Sequence, residues 1–291
     1  MSPIDRSGTV QLALPKGRIQ EGVFELFADA GIRIRLGARG YRPNLSIPGF
    51  EAKLLKPQNV VEMLGGGLRD VGFAGVDWVV EKGAELVELL DTELDPVRLV
   101  AAAPADLLLS GGLPEGPLVV ASEYERLTRQ WMTRRGIEGS FVRTYGATEV
   151  FPPEDADVIV DNTATGDTLA ANGLEIFDEV LQSSTRMFAN SKALDDPDKR
   201  RVIEDLTLVL RSVIEARSRA MVELNVDSER LETVIQSLPT MREATVSRLH
   251  GDGGYAIRAA VPRSQLVLLI PELRERGASD IVITRPDQIV P

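Results

Sequence analysis

The sequence predicts an α/β protein of two lobes followed by a smaller domain of a different pattern, and three observations carry that expectation. In the first half, short apolar runs alternate with amphipathic stretches, the pattern of a layered α/β body with a largely parallel sheet. A Pro/Gly-rich stretch, Ser110-Gly-Gly-Leu-Pro-Glu-Gly-Pro117, interrupts that alternation and suggests a crossing between lobes. Beyond residue 220 the order of elements becomes βαββαβ, the ferredoxin-like split arrangement. The 291 residues also exceed the usual size of a single core, so two or three domains are expected.

Taken in order, Val10 to Leu14 reads as a strand and Gln20 to Ala30 as a helix with Val23, Phe24, Leu26 and Phe27 on one face. Lys53 to Leu55, Val71 to Ala74 and Arg98 to Ala103 read as further strands. Gly65-Gly-Gly67 follows a helical stretch and reads as its stop rather than as a phosphate loop. In the second lobe, Leu118 to Ala121 is a strand, Tyr124 to Arg134 a helix, and Ser140 to Thr144 and Val158 to Asp161 strands. Asp195 to about Arg219 is helical, with a packing stripe of Val202, Leu206, Val209, Leu210 and Val213. The last domain is built from Ala220 to Val226, Ser228 to Gln236, Ala244 to Leu249, Tyr255 to Val261, Gln265 to Arg276 and Asp280 to Thr284. A ligand sensor and a dimerisation module both suit such a domain.

Composition narrows the chemistry. A hydrophobic content of 43% with 26% charged residues is that of a soluble globular chain, and the first residues do not form a secretory signal, so a cytoplasmic location is expected. No apolar run is long enough to span a bilayer. The chain has no cysteine and one histidine, His250, which excludes disulfides, thiolate chemistry and Cys-ligated zinc, and leaves no multi-His metal site. A net charge of −11 argues against nucleic acid as a partner. Any polyanion must then meet a local cationic pocket, assisted by a divalent ion.

The stretch Asp157-Val-Ile-Val-Asp161-Asn-Thr-Ala-Thr165-Gly166-Asp-Thr168 is the most informative. A buried strand ends in an acid and passes through a Thr-rich turn into a short helix. Backbone N–H groups and hydroxyls at such a helix start suit a phosphate, and Asp161 is placed to accept from ribose hydroxyls. An ordinary capped helix with Thr165 as its N-cap fits the same residues.

Placed in order, Leu14-Pro-Lys16-Gly17-Arg18, Val71-Gly-Phe-Ala-Gly-Val-Asp77 with Glu81-Lys-Gly83, the Asp157 to Leu174 stretch, Leu224-Asn225-Val226, Ala256 to Pro262 and Gly277-Ala278-Ser279 resemble the long-form ATP phosphoribosyltransferases, which open histidine biosynthesis. The resemblance spans nearly the whole chain. It implies a two-lobed body similar to periplasmic binding proteins and of type IV phosphoribosyltransferase character, with the active site between the lobes. It implies domains at residues 1–104 with 182–219, at 105–181, and a regulatory domain at 220–291. The implied reaction joins adenine N1 of ATP to the anomeric carbon of phosphoribosyl pyrophosphate with Mg2+, releasing pyrophosphate. Inhibition by histidine and assembly as a homo-oligomer, a dimer or hexamer, are also implied.

Carried onto this sequence, the resemblance gives Thr165, Gly166, Asp167 and Thr168, with Ala164 at the loop entrance, to the 5′-phosphate. Of Asp167, the amide rather than the carboxylate is expected to face the ligand, because like charges repel. Asp161 takes the ribose, and Asp157 is the weaker candidate. Glu149 in Gly146-Ala-Thr-Glu149 borders the same pocket or else satisfies a helix start. Lys16, Gly17 and Arg18 supply charge for pyrophosphate and ATP, joined by Lys56, Asp77 and Arg98; for Arg98 a structural ion pair is the competing reading. Asp161, Lys16 and Arg18 are thus the catalytic candidates, and no metal ligand is named. Asn225 and Thr245, with Ala278 and Ser279 in a following loop, are the histidine-effector candidates.

Three segments depart from the family: Lys56-Pro-Gln-Asn59, where an Arg-Pro pair followed two residues later by Asp is usual, Ser122-Glu-Tyr-Glu125-Arg126 in place of a Tyr-Pro-Asn turn, and Ala244 in place of a Pro before the threonine. A catalytically silent homologue and a solute- or nucleotide-binding regulatory module remain alternatives.

Overall fold

The computed structural model describes residues 8–37, 40–108, 112–251 and 253–290. Six consecutive buried residues make β1 (Val10–Pro15), as expected of a strand covered on both faces. It is followed by α1 (Gln20–Asp29), the short antiparallel pair β2 (Ile34–Arg35) and β3 (Asn44–Leu45), β4 (Phe50–Leu55), α2 (Pro57–Gly65), β5 (Val71–Gly75) and α3 (Val76–Lys82). Pro57 begins α2, where its missing N–H costs nothing, and the Gly65–Gly67 run ends it with Gly67 at φ 68°. Then come β6 (Val87–Pro104), β7 (Leu118–Ser122), α4 (Glu125–Arg135), β8 (Gly139–Arg143), β9 (Val158–Thr163), α5 (Asp167–Ala171), β10 (Leu174–Ala189), α6 (Ser191–Asp195) and α7 (Pro197–Ser218).

The main sheet has the order β4-β1-β5-β10-β6-β9-β7-β8. Its flanks are parallel, β4-β1-β5 forming the first lobe and β9-β7-β8 the second. The centre is not. There β10 runs antiparallel to both β5 and β6, and β6 antiparallel to β9, so the largely parallel sheet expected from the sequence is a mixed one. The long strand β10 was not expected at all, and only Arg98 to Ala103 of the 18-residue β6 was. Both strands carry Asp, Glu, Ser or Arg where they bridge the lobes and are only partly covered, so no apolar run marks them.

Separate side-chain clusters fill the two lobes. In the second, Leu99, Val120, Trp131, Val158 and Val160 pack on one face of the sheet, and Val100, Ala121, Ile159 and Leu169 on the other. In the first, Val60, Val61 and Leu64 of α2 pack against Ala13 and Ala74.

The chain divides into two compact units, one comprising residues up to Glu25 with Ile32–Glu204, the other Leu26–Gly31 with Asp205 onward. The second holds β11 (Arg219–Val226), α8 (Leu231–Ser237), β12 (Thr245–Arg248), β13 (Tyr255–Pro262), α9 (Leu266–Glu275) and β14 (Ala278–Thr284). Their order β12-β13-β11-β14, antiparallel throughout, is that of the expected βαββαβ domain. Alternate burial along β11 puts Val222, Leu224 and Val226 into a core with Val234, Leu269 and Leu273. The opposite face of the sheet carries Glu223, Asn225 and Arg258.

Candidate active site

In an open α/β sheet the carboxyl ends of the parallel strands meet at a crevice, because each strand there hands over to a loop or helix start. Here β1, β5, β7 and β9 end around a cavity of about 200 Å³ lined by Lys16 and Arg18 after β1, Gln58 of α2, Asp77 and Trp78 of α3, Glu123 and Tyr124 after β7, Asn162 of β9, Asp95 of β6, and Ser183 to Thr185 of β10. The two lobes face each other across it.

The first-lobe wall is cationic. Gly17 takes φ 98°, which lets the chain turn out of β1 into α1 and leaves Lys16 and Arg18 exposed on either side. Lys16 Nζ donates to Tyr41 Oη at 3.1 Å and lies 4.6 Å from the centre of that ring. Neither Lys16 nor Arg18, nor Lys56 at the exposed N-terminus of α2, is ion-paired among the described residues. In a chain with 44 acids against 33 bases, cations left without carboxylate partners on one rim amount to a local anion site.

From the second lobe the cleft is lined by Glu123, Tyr124 and Asn162, whereas Asp161, Glu149 and Thr165 to Thr168 are not among its lining residues. Burial pushes the carboxyl of Asp161 from 3.8 up to about 6; the N–H of Asn162 opposes this, and the charges of Glu149 and Glu123 add to it. The Asn162 N–H donates to Asp161 Oδ1 at 2.7 Å. Glu149 lies in a single 3₁₀ turn, Thr148–Val150. Asp157, four residues before Asp161, is used elsewhere, its Oδ2 accepting from Val119 N at 2.7 Å.

In the phosphate-type turn, Gly166 at φ 94° is the N-cap of α5, so Thr165 is not. The turn satisfies its own donors: Gly166 N–H donates to Thr163 Oγ1 at 2.9 Å, and Thr165 Oγ1 donates to Asp167 Oδ2 at 2.8 Å. The Asp167 carboxylate is thus engaged by the Thr165 hydroxyl of its own turn. Thr168 follows in the first turn of α5, and Ala164 lines a neighbouring cavity that shares Val97, Ser183 and Ser184 with the cleft.

Arg98 lines that neighbouring cavity and not the cleft, and its Nη1 lies 3.6 Å from Glu179, so the ion-pair alternative describes its surroundings. Asp77 does line the cleft, but both its oxygens are engaged, one by Tyr124 Oη at 2.7 Å and one by Ser183 Oγ at 2.6 Å. Sequence reasoning missed Asn162, Tyr124, Trp78 and the Ser183-Ser-Thr185 run as lining residues. The first two stand within segments singled out for other reasons; the last sits on the unexpected β10.

In the βαββαβ unit, Asn225 and Thr245 line one shallow cavity on the open sheet face with Glu223, Arg258 and Asp280. Asn225 Nδ2 donates to Asp280 Oδ2 at 3.0 Å, and Ser279 Oγ to the same oxygen at 3.3 Å. Ala278 and Ser279 are the first residues of β14, paired with Val226 and Asn225, rather than loop residues, and Ala278 is buried.

A two-lobed α/β body with unpaired Lys16 and Arg18 in the crevice at the carboxyl ends of its parallel strands has the form of an enzyme that takes anionic substrates. The comparisons narrow it. The model of the ATP phosphoribosyltransferase (HisG) family matches residues 56–212, and that of the HisG C-terminal domain matches 216–285. An ATP phosphoribosyltransferase of Pelotomaculum thermopropionicum is 33% identical over 97% of this chain and 99% of its own, and one of Chlorobium phaeovibrioides is 35% identical over 94% of each. In a solved ATP phosphoribosyl transferase (HisG:HisZ) complex from Thermotoga maritima, one chain superposes with a TM-score of 0.63 at 28% identity, covering 71% of this chain and 99% of that one. This chain belongs to the ATP phosphoribosyltransferase family, and its activity class is glycosyl transfer. No helix among the described residues is long and apolar enough to cross a membrane.

Proposed function

We propose that the cleft joins adenine N1 of ATP to C1 of phosphoribosyl pyrophosphate, with the donor's ribose on the second lobe and the phosphate chains on the cationic rim of the first. The observation that carries this is a crevice lined by Lys16 and Arg18, neither of them ion-paired among the described residues, whose second-lobe wall includes Asn162, the neighbour of Asp161 on β9. Lys56 and the Thr165–Thr168 turn are added to it by the family resemblance. The N1 lone pair attacks without prior deprotonation, so the barrier is lowered by positioning and charge rather than by a general base. As the C1–O bond to pyrophosphate breaks, positive charge grows on the ribose ring and the ionised Asp161 stabilises it, while Lys16 and Arg18 receive the leaving pyrophosphate. Thr165, Thr168 and the amides of Gly166 and Asp167 hold the 5′-phosphate, which requires the internal bonds of the turn to yield to stronger, charge-assisted ones. Glu149 borders the ribose.

Magnesium suits this site as a companion of the substrate. Mg2+ takes most of its shell from water and phosphate oxygens, so the substrate's pyrophosphate supplies its ligands, and among the described residues no cluster of three or more acidic or histidine side chains is placed to cage it. When bound, it neutralises charge on the pyrophosphate. On the C-terminal sheet, Asn225, Thr245, Arg258 and Asp280 suit the carboxylate and ammonium of histidine as a feedback inhibitor of histidine biosynthesis, in a dimer or hexamer of this chain. The direct test is release of pyrophosphate from ATP, phosphoribosyl pyrophosphate and Mg2+ by the purified protein, suppressed by free histidine. No release under any Mg2+ concentration, with pyrophosphatase present, refutes the catalytic reading.

A further inference from the structure

Tyr124 stands beside the cleft, yet it is only 1% exposed. Its hydroxyl donates to Asp77 Oδ2 at 2.7 Å and accepts from Asn162 Nδ2 at 3.0 Å. The other Asp77 oxygen accepts from Ser183 Oγ at 2.6 Å, and the Asn162 backbone N–H donates to Asp161 Oδ1 at 2.7 Å. Asn162 and Asp161 are adjacent on β9 and so project to opposite faces of the strand. A continuous chain of hydrogen bonds therefore runs from α3 of the first lobe, through one tyrosine, to the residue next to the candidate ribose carboxylate. The ring is held as well, its centroid 4.6 Å from that of Trp78. Burial, with the Asp77 charge second, holds the phenol well above its usual range, so it remains a proton donor throughout the neutral region. The buried Asp77 carboxylate accepts that proton without competition from water, which fixes the direction of the chain.

We propose that Tyr124 is a positioning residue for phosphoribosyl transfer: oriented by Asp77, its hydroxyl holds the Asn162 side chain and thereby fixes the peptide whose N–H aims Asp161 at the ribose. This rests on the assignment of Asp161 above. The charged groups that share the surroundings are Glu149 and Glu123 near Asp161, and Asp77, Asp95, Lys16 and Arg18 on the cleft walls.

Tyr124→Phe keeps the ring and removes only the hydroxyl; Asn162→Ala cuts the chain one link later. Each variant, and the pair combined, is to be compared with the full-length wild type by steady-state kinetics at saturating Mg2+ across pH 5 to 8. Tyr124→Phe is expected to lower kcat by about tenfold or more while each substrate KM stays within about threefold, because alignment is lost rather than ground-state binding. The acid limb of kcat/KM is expected to move to lower pH as water reaches Asp161 and relieves its desolvation. The combined variant should be no slower than the slower single one, since both cut the same chain. Wild-type kcat and an unmoved pH profile in Tyr124→Phe would overturn the proposal, as would losses that multiply in the combined variant. Should Tyr124→Phe fail to fold, Asn162→Ala alone decides by the same kcat and pH readouts. A wild type that releases no pyrophosphate overturns the catalytic reading together with the proposal; an active wild type indifferent to these substitutions overturns the proposal alone.

Discussion

Asp161 is kept in an environment that its charge would rather leave. Because the fold raises its carboxyl from 3.8 to about 6, the native state binds that proton more tightly than the unfolded chain does. The stability linked to this group is therefore greatest below pH 3.8, falls as pH rises, and is lost above about pH 6, a difference of roughly 3 kcal/mol. Asp161→Asn should accordingly cut turnover by about 100-fold or more yet raise the melting temperature at pH 8, with a smaller gain at pH 4. Calorimetry at the two pH values with parallel kinetics checks this, and a variant less stable at pH 8 would contradict the placement. The same titration predicts that kcat/KM of the wild type climbs through about pH 6 as the carboxylate forms. Gly166 supplies a second residue-scale test. At φ 94°, with the added Cβ 3.3 Å from Ile176, Gly166→Ala should cost about 1–2 kcal/mol of stability and raise the KM for phosphoribosyl pyrophosphate. An unchanged KM would show that the turn does not hold the phosphate.

At the scale of elements, what could be read in advance follows where the apolar pattern is strong. Val10–Pro15, Val71–Gly75 and Val158–Thr163 are buried runs bounded by Gly, Pro or Asp, and each strand lies where its sequence puts it. The βαββαβ unit was legible through its two central strands, β11 and β13, which alternate between core and open face, although β12 and β14 at the edges do not. The two bridging strands were not, since Val87–Pro104 contains Asp95-Pro96 and takes positive φ at Glu93 and Asp95, features that read as a turn. The candidate site divides along the same line: Lys16, Arg18 and the Asp161 turn follow legible strands, whereas Ser183 to Thr185 ride on the hidden one. On the open face of the C-terminal sheet, the four side chains brought together by β11, β12, β13 and β14 predict that Asn225→Ala or Thr245→Ala relieves inhibition by histidine without lowering kcat. Titration calorimetry showing no histidine binding to the wild type would remove the sensor.

At the scale of the molecule, a net charge of −11 opposes any polyanion until counterions or Mg2+ intervene. Donor binding should therefore appear as thermal protection that depends on Mg2+. At about 100 times its dissociation constant, phosphoribosyl pyrophosphate adds about 2.7 kcal/mol, a rise of several degrees in a melting scan. Absence of any shift with Mg2+ present would count against the cleft as its site.

The antiparallel pairing of β6 and β10 has a further consequence for the order in which the chain can assemble. Pro104 pairs with Leu174 and Val87 with Ala189, so every rung of that ribbon closes a loop containing the whole second lobe. During synthesis β6 can meet β9 earlier, but all of β7, α4, β8, β9 and α5 must emerge before its other partner β10 does, and β5 waits for that same strand. Loop closure on this scale is favoured only once the intervening segment has condensed. The second lobe is thus expected to condense as an insert before the central ribbon zips up, so that the β5 edge of the newly made first lobe stays unpaired until β10 arrives.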